Sequence, residues 1–180
     1  MIENIRKYYR KNCLKSIRQA SNRNISCSSL NDAKYIGILY EIGEEHTYIT
    51  LNTYVTKLLA EGKTLRIIGF HNNKYVPHYC IPQLKYDFFC QKDLNWFGKP
   101  IAPLIQEFAD EPFDMLIDLS MEVIFPLQYV LAKSTAKFKV GRQNDSSEDY
   151  YDLMINLDET HDVNDLIYYI NEYTNKLNGK

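Results

Sequence analysis

Phe113-Asp-Met-Leu-Ile-Asp-Leu-Ser120, Phe125-Pro-Leu-Gln-Tyr-Val-Leu-Ala-Lys-Ser134 and Ala136-Lys-Phe-Lys-Val-Gly141 follow one another in the chain and read as strand, helix and strand. The two outer runs are short and mostly apolar, as strands buried on both faces are, and Pro126 falls in the first helical turn, where proline is tolerated. Parallel neighbours in a sheet need such a crossover, so this stretch predicts an α/β fold.

The same pattern appears upstream. Tyr35-Ile-Gly-Ile-Leu-Tyr40 predicts a buried first strand, and Thr47 to Glu61 a helix with Tyr48, Leu51, Tyr54, Val55, Leu58 and Leu59 on one face. Gly62 ends that helix in a left-handed conformation, and Thr64-Leu-Arg-Ile-Ile-Gly-Phe70 predicts the second strand. Between Asn72 and Pro112 the periodicity weakens. Lys85 to Cys90 predicts a short strand, Leu94 to Pro100 an aromatic turn around Trp96, and Pro103 to Ala109 a short helix. Downstream, Tyr150 to Asn156 predicts the last strand. Asp162 caps a final helix whose Val163, Leu166, Ile167, Ile170, Tyr173 and Leu177 line one face. Together these elements predict a Rossmann-like three-layer sandwich with a mainly parallel sheet.

The leading segment is different in kind. Residues 1–31 read as a basic amphipathic helix with Ile2, Ile5, Tyr9, Cys13 and Ile17 at helical spacing, then a Ser- and Asn-rich linker, leaving residues 32–180 for the α/β domain. Residues 1–24 hold seven Lys or Arg against Glu3 alone, so this segment carries +6 and the remainder −8 of the net −2. Arg6, Lys7, Arg10, Lys11, Lys15 and Arg18 are the candidate contacts to an anionic partner. Three targets fit them: nucleic-acid phosphates, anionic lipid, or the protein's own acidic half, of which the last is the simplest. A cleaved presequence for an organelle is a further reading of an Arg-rich, acid-poor start.

A chain of 180 residues, 45% apolar and 24% charged, is long enough for one ordinary domain that buries about 70% of its unfolded surface. No apolar run approaches the roughly 20 residues of a membrane span, and no secretory signal is recognisable. Four cysteines in no paired motif fit a reducing cytoplasm. Fifteen tyrosines suggest wet-edged packing or an interaction surface.

Ligands of open α/β sheets bind beyond the carboxyl ends of the strands, which singles out His71, Asp118, Ser120 and Arg142 as lining residues of a candidate pocket. Asp118 at a strand end suits a base or a hydroxyl-orienting carboxylate, with Ser120 and Arg142 to bind an anion; the simpler reading is that it accepts backbone N–H groups in the following turn. No catalytic partner is visible. His71, His78, Cys80 and Cys90 have none of the ligand spacings of zinc sites, and neither a nucleophile elbow nor a phosphate-binding glycine loop is present. No metal or cofactor is expected. Trp96 with Phe97 suits either stacking on a base or sugar or capping the edge of the core. The expected function is a non-enzymatic binding or scaffold domain for a protein partner or a second copy. The alternatives are a transferase-like enzyme that binds a nucleotide or sugar nucleotide, and an RNA-associated protein.

At Asp93-Leu-Asn-Trp-Phe-Gly-Lys99, Phe113 to Ser120, Phe138-Lys-Val-Gly141 and Tyr150 to Ile155, the chain resembles a family of small bacterial proteins known only as a domain of unknown function. The resemblance spans most of residues 1 to 177, including the basic helix and Asn31-Asp-Ala-Lys34, and implies a fold and a bacterial cytoplasm but no reaction. A shorter likeness, over about 30 residues, is to the N-terminal half of heptosyltransferase-type glycosyltransferases, with Phe113 to Leu119 and Phe138 to Gly141 in the corresponding strands. Those enzymes bind the sugar nucleotide largely through a second Rossmann-like domain, absent from these 180 residues, so the likeness argues against an independent glycosyltransferase.

Overall fold

A computed structural model describes residues 2–144, 146 and 148–177. The elements run α1 (Ile2–Ala20), β1 (Tyr35–Glu41), α2 (Glu45–Ala60), β2 (Thr64–His71), β3 (Tyr86–Cys90), α3 (Pro103–Ala109), β4 (Met115–Asp118), α4 (Phe125–Lys133), β5 (Phe138–Arg142), β6 (Leu153–Ile155) and α5 (Val163–Asn175). The six strands form one sheet in the order β3-β2-β1-β4-β5-β6. Every pairing is parallel.

β4 is buried at all positions because both faces of the sheet are covered. One face packs Ile36, Ile38, Ile67, Met115, Ile117 and Val140 against Leu51, Val55 and Leu58 of α2 and Leu166 and Ile170 of α5. The other packs Leu39, Ile68, Phe70 and Leu116 against Ile105 and Phe108 of α3 and Leu127, Val130 and Leu131 of α4. Chain order proceeds outward from β1 to β3, then returns across the sheet to β4 and proceeds outward again. The two halves therefore wind on opposite faces.

Local signals account for most element ends. Gly62 has φ 80° just past α2, and Asp162 accepts from the N–H groups of Asn164 and Asp165 while Asp165 accepts from Asp162 N–H. The last strand is shorter than the Tyr150 to Asn156 run predicts: Tyr150 lies in a 3₁₀ turn and Tyr151 turns back over the sheet. In α5 Thr174 is fully buried along with Leu166 and Ile170, its hydroxyl bonded to Ile170 O at 2.6 Å, whereas Tyr173 is 47% exposed and stacks on Tyr169.

α1 lies across α4. Leu14 packs with Phe125 and Ala132, and Cys13 and Ile17 reach the core below. Only the C-terminal half of the expected apolar stripe is used, since Ile2, Ile5 and Tyr9 are exposed. The irregular segment after α1 is pinned by Arg23, which forms a two-pronged pair with Asp152 (2.6 and 2.7 Å) and donates to Ala136 O at 3.0 Å. Beside this pair Lys139 is buried and donates from Nζ to Leu131 O at 2.6 Å. Burial, aided by the Arg23 charge and opposed by Asp152, pushes the Lys139 ammonium down to about 7.

The folded state thus sheds a proton that the unfolded chain keeps up to the ordinary lysine value of 10.5. Stability is expected to rise between pH 7 and 9 by about 1 kcal/mol per pH unit, roughly 2–4 °C in Tm. Above pH 9 the Cys80 thiol, pushed up to about 11 by burial, opposes the trend. Thermal melts of wild type against Lys139→Met check this: the variant should show a flat profile across the window.

Candidate functional site

The order β3-β2-β1-β4-β5-β6 reverses direction between β1 and β4, and the crevice beyond their carboxyl ends is where open α/β sheets take ligands. On the α4 side of this edge lies a pocket of about 160 Å³ lined by Asp118, Ser120, Gln128, Arg142 and Tyr151, with apolar walls from Ile124 and Leu127. Three of the four sequence-derived residues therefore share one pocket. His71 is not among its lining residues. It caps β2, with Nδ1 3.0 Å from Ile42 O and Nε2 3.2 Å from the Asn73 side-chain amide. A carbonyl can only accept, so the proton sits on Nδ1 and Nε2 accepts.

Asp118 is 3% exposed, and its two oxygens are occupied. Oδ1 accepts from Ser120 N–H at 2.9 Å and Oδ2 from Tyr151 OH at 2.8 Å. Burial pushes the carboxyl's affinity for protons up, and Ser120 and Tyr151 oppose that. The Tyr151 hydroxyl is held far above its usual range by burial and by the Asp118 charge. Gly141 makes this pairing feasible: a Cβ there would stand 2.6 Å from the Tyr151 ring. Ser120 Oγ lies beside the carboxylate but outside hydrogen-bonding geometry, buried and without a partner. Arg142 is drawn to two carbonyls, Nη1 to Met121 O and Nη2 to Leu157 O at 3.3 Å, and its Nε is likewise unpartnered.

Sequence reasoning missed Tyr151 and Gln128. Tyr151 follows another tyrosine, and nothing in that pair says which one bends back over the sheet. Gln128 is one polar residue in an apolar helix, 8% exposed, and donates to Ser146 O at 2.7 Å. A polar residue on the buried stripe was the available signal.

On the opposite side of the crevice the β1–α2 turn is Glu41-Ile-Gly-Glu-Glu45. The helix opens on Glu44 without a side-chain cap, and Glu41 is pushed up by burial and by the Glu122 charge, with His71 opposing. This is the position where dinucleotide-binding folds place a glycine-rich turn and a bare helix end for pyrophosphate. Here it presents carboxylates. Among the described residues no three His, Cys, Asp or Glu side chains converge as a metal site requires, and no helix is long and apolar enough to cross a membrane.

The cations of α1 divide. Arg10 Nε donates to Phe97 O at 2.7 Å with its guanidinium over the Phe125 ring, Arg6 and Arg10 lie near Glu3, and Arg18 pairs with Asp149. Lys7, Lys11 and Lys15 have no ion-pair partner among the described residues. With Arg10 and Arg18 they line a groove of about 910 Å³ whose other walls include Val123, Phe125, Gln128 and Tyr150. Asp149 also lines the groove; Asp145 and the Glu148 side chain, from the same acidic stretch of sequence, lie outside what the structure describes. Trp96 is 55% exposed and sets its ring edge-on to Tyr9 of α1 at 5.0 Å.

A family model matches residues 3–177, nearly the whole chain. The chain belongs to DUF6913, a family of unknown function. This DUF6913 chain matches no curated protein and no solved structure. The likeness to glycosyltransferases gains no support from these comparisons.

The occupied geometry of Asp118 sets an ordering of variants. Asp118→Asn keeps an acceptor for Ser120 N–H and a donor that Tyr151 can meet by rotating its hydroxyl. Asp118→Ala orphans both buried donors and should cost about 2–4 kcal/mol, at least twice the cost of Asn. Chemical denaturation of both variants checks the order; an equal cost would mean that the two hydrogen bonds contribute little.

Proposed function

We propose that the protein is a non-catalytic binding domain, and that its binding face is the groove between α1 and the start of α4. The observation that carries this is the row Lys7, Lys11 and Lys15: one face of a helix, four residues apart, with no ion-pair partner among the described residues and directed along an open groove. Successive members are separated by about 6 Å of helix rise. That spacing suits a polymer with regularly placed charges. Asp149, the acid among the groove's described lining residues, is paired with Arg18, so the three lysines keep their charge for an external anion. The half-buried Tyr150 on the facing wall adds aromatic surface, the combination by which single-stranded nucleic acids are held without sequence preference.

Three further observations support binding over catalysis. The strand-end carboxylate is committed to Ser120 and Tyr151, and the turn that would hold a nucleotide's phosphates carries Glu41, Glu44 and Glu45. A pocket of about 160 Å³ also has little room for a sugar nucleotide. All four cysteines are free, which supports a reducing, cytoplasmic location, and the expected bacterial source accords with it.

Fluorescence anisotropy with single-stranded RNA and DNA homopolymers tests this reading. With the three lysines engaged, log K should fall with log salt with a slope near −2, about 20-fold between 50 and 200 mM salt. Lys11→Glu should weaken binding and flatten the slope, and Lys57→Glu on α2 should do neither. Absence of binding at low salt would remove nucleic acid and leave an acid-rich protein as the partner for the groove.

A further inference from the structure

The pocket beyond β4 and β5 holds hydrogen-bond donors in excess of the acceptors around them. Ser120 is 9% exposed, and its Oγ is buried with no partner; Arg142 Nε is buried with none either. The N–H groups of Met121, Glu122, Val123 and Ile124 have no acceptor among the described residues, nor do those of Phe125 and Leu127 in the first turn of α4. All of these residues except Phe125 line the pocket. Pro126 supplies no N–H, so the first turn is not crowded by a donor that needs satisfying. The neighbouring acceptors are mostly used. Asp118 is taken by Ser120 N–H and Tyr151, and Asn144 Oδ1 accepts from Ser146 N–H and Oγ–H. Glu122, also on the rim, is exposed to solvent.

A buried hydroxyl, a guanidinium edge and a helix amino end facing one concavity require acceptor oxygens to complete them. We propose that this pocket binds a small oxyanion, the carboxylate or phosphoryl group of a small molecule, with Ser120 Oγ and the Met121–Ile124 backbone as its principal donors. The size of the pocket limits the group to a compact head. The hydrogen bonds that Asp118 accepts from Ser120 N–H and Tyr151 OH stabilise its own charge. This site is independent of the α1 groove and stands or falls separately from it.

The test is titration of ¹⁵N-labelled protein with inorganic phosphate and, separately, with acetate, following the backbone amide resonances. The expected result is a saturable shift of the Ser120–Leu127 amides, with a dissociation constant in the millimolar range or tighter. Ser120→Ala should weaken it at least tenfold. Because the hydroxyl has no partner in the free protein, that substitution should leave the melting temperature unchanged or raise it slightly. A response to phosphate alone assigns the site to phosphoryl groups, and a response to acetate as well assigns it to oxyanions in general. Lys11→Glu should leave the titration unchanged. No saturable shift, shifts confined to α1, or shifts that Ser120→Ala does not alter would overturn the proposal.

Discussion

The central constraint is the pairing of β1 with β2 on one edge and β4 on the other, with Ile38 opposite both Ile67 and Ile117. A parallel strand buried between two parallel neighbours can only be reached by crossovers, and their fixed hand sends α2 to one face and α4 to the other. From that division follow the two apolar layers and the crevice between the ends of β1 and β4. α1 lies outside both layers, on the back of α4.

The chemistry of the crevice is unlike that of the nucleotide-binding folds it resembles in strand order. The fold supplies the position of a phosphate turn, but this sequence puts carboxylates there, and shared geometry does not by itself carry a shared function. Its polar groups are arranged asymmetrically. Asp118 and Tyr151 satisfy each other beneath a glycine, and Arg142 is tied to backbone carbonyls. The donors of the β4–α4 connection are left over on one side, and the lysines of α1 on the other.

The fold class was legible because its signals are local. Short apolar runs, Gly62 at the end of an amphipathic stretch, Pro103 and Pro126 in first turns, and Asp162 before a 3.6-residue pattern each report on a few neighbours. Strand order was not legible, since nothing within Thr64–His71 or Phe138–Arg142 records which neighbour each strand finds. The site was half legible. Asp118, Ser120 and Arg142 stand at strand ends by the periodicity of the sheet itself, and they do meet in one pocket, while His71, at the same kind of position, turns to Ile42 O instead. Tyr151 was out of reach because its contact with Asp118 spans 33 residues and depends on the space left by Gly141. The apolar stripe of α1 overstated its own burial. Periodicity shows that a face exists, not how far along it the supporting surface extends.

The placement of α1 also orders events during synthesis. Its anchors lie far along the chain: Arg10 to Phe97 O spans 87 residues, Arg18 to Asp149 spans 131, and Arg23 to Asp152 spans 129. α1 is therefore synthesised before every element that fixes it, because its seat on α4 and its clamp at Asp152 do not exist until nearly the whole sheet has been made. In the interval Leu14 and Ile17 lack the apolar surface that covers them in the fold, which arrives only with α4 and Tyr150.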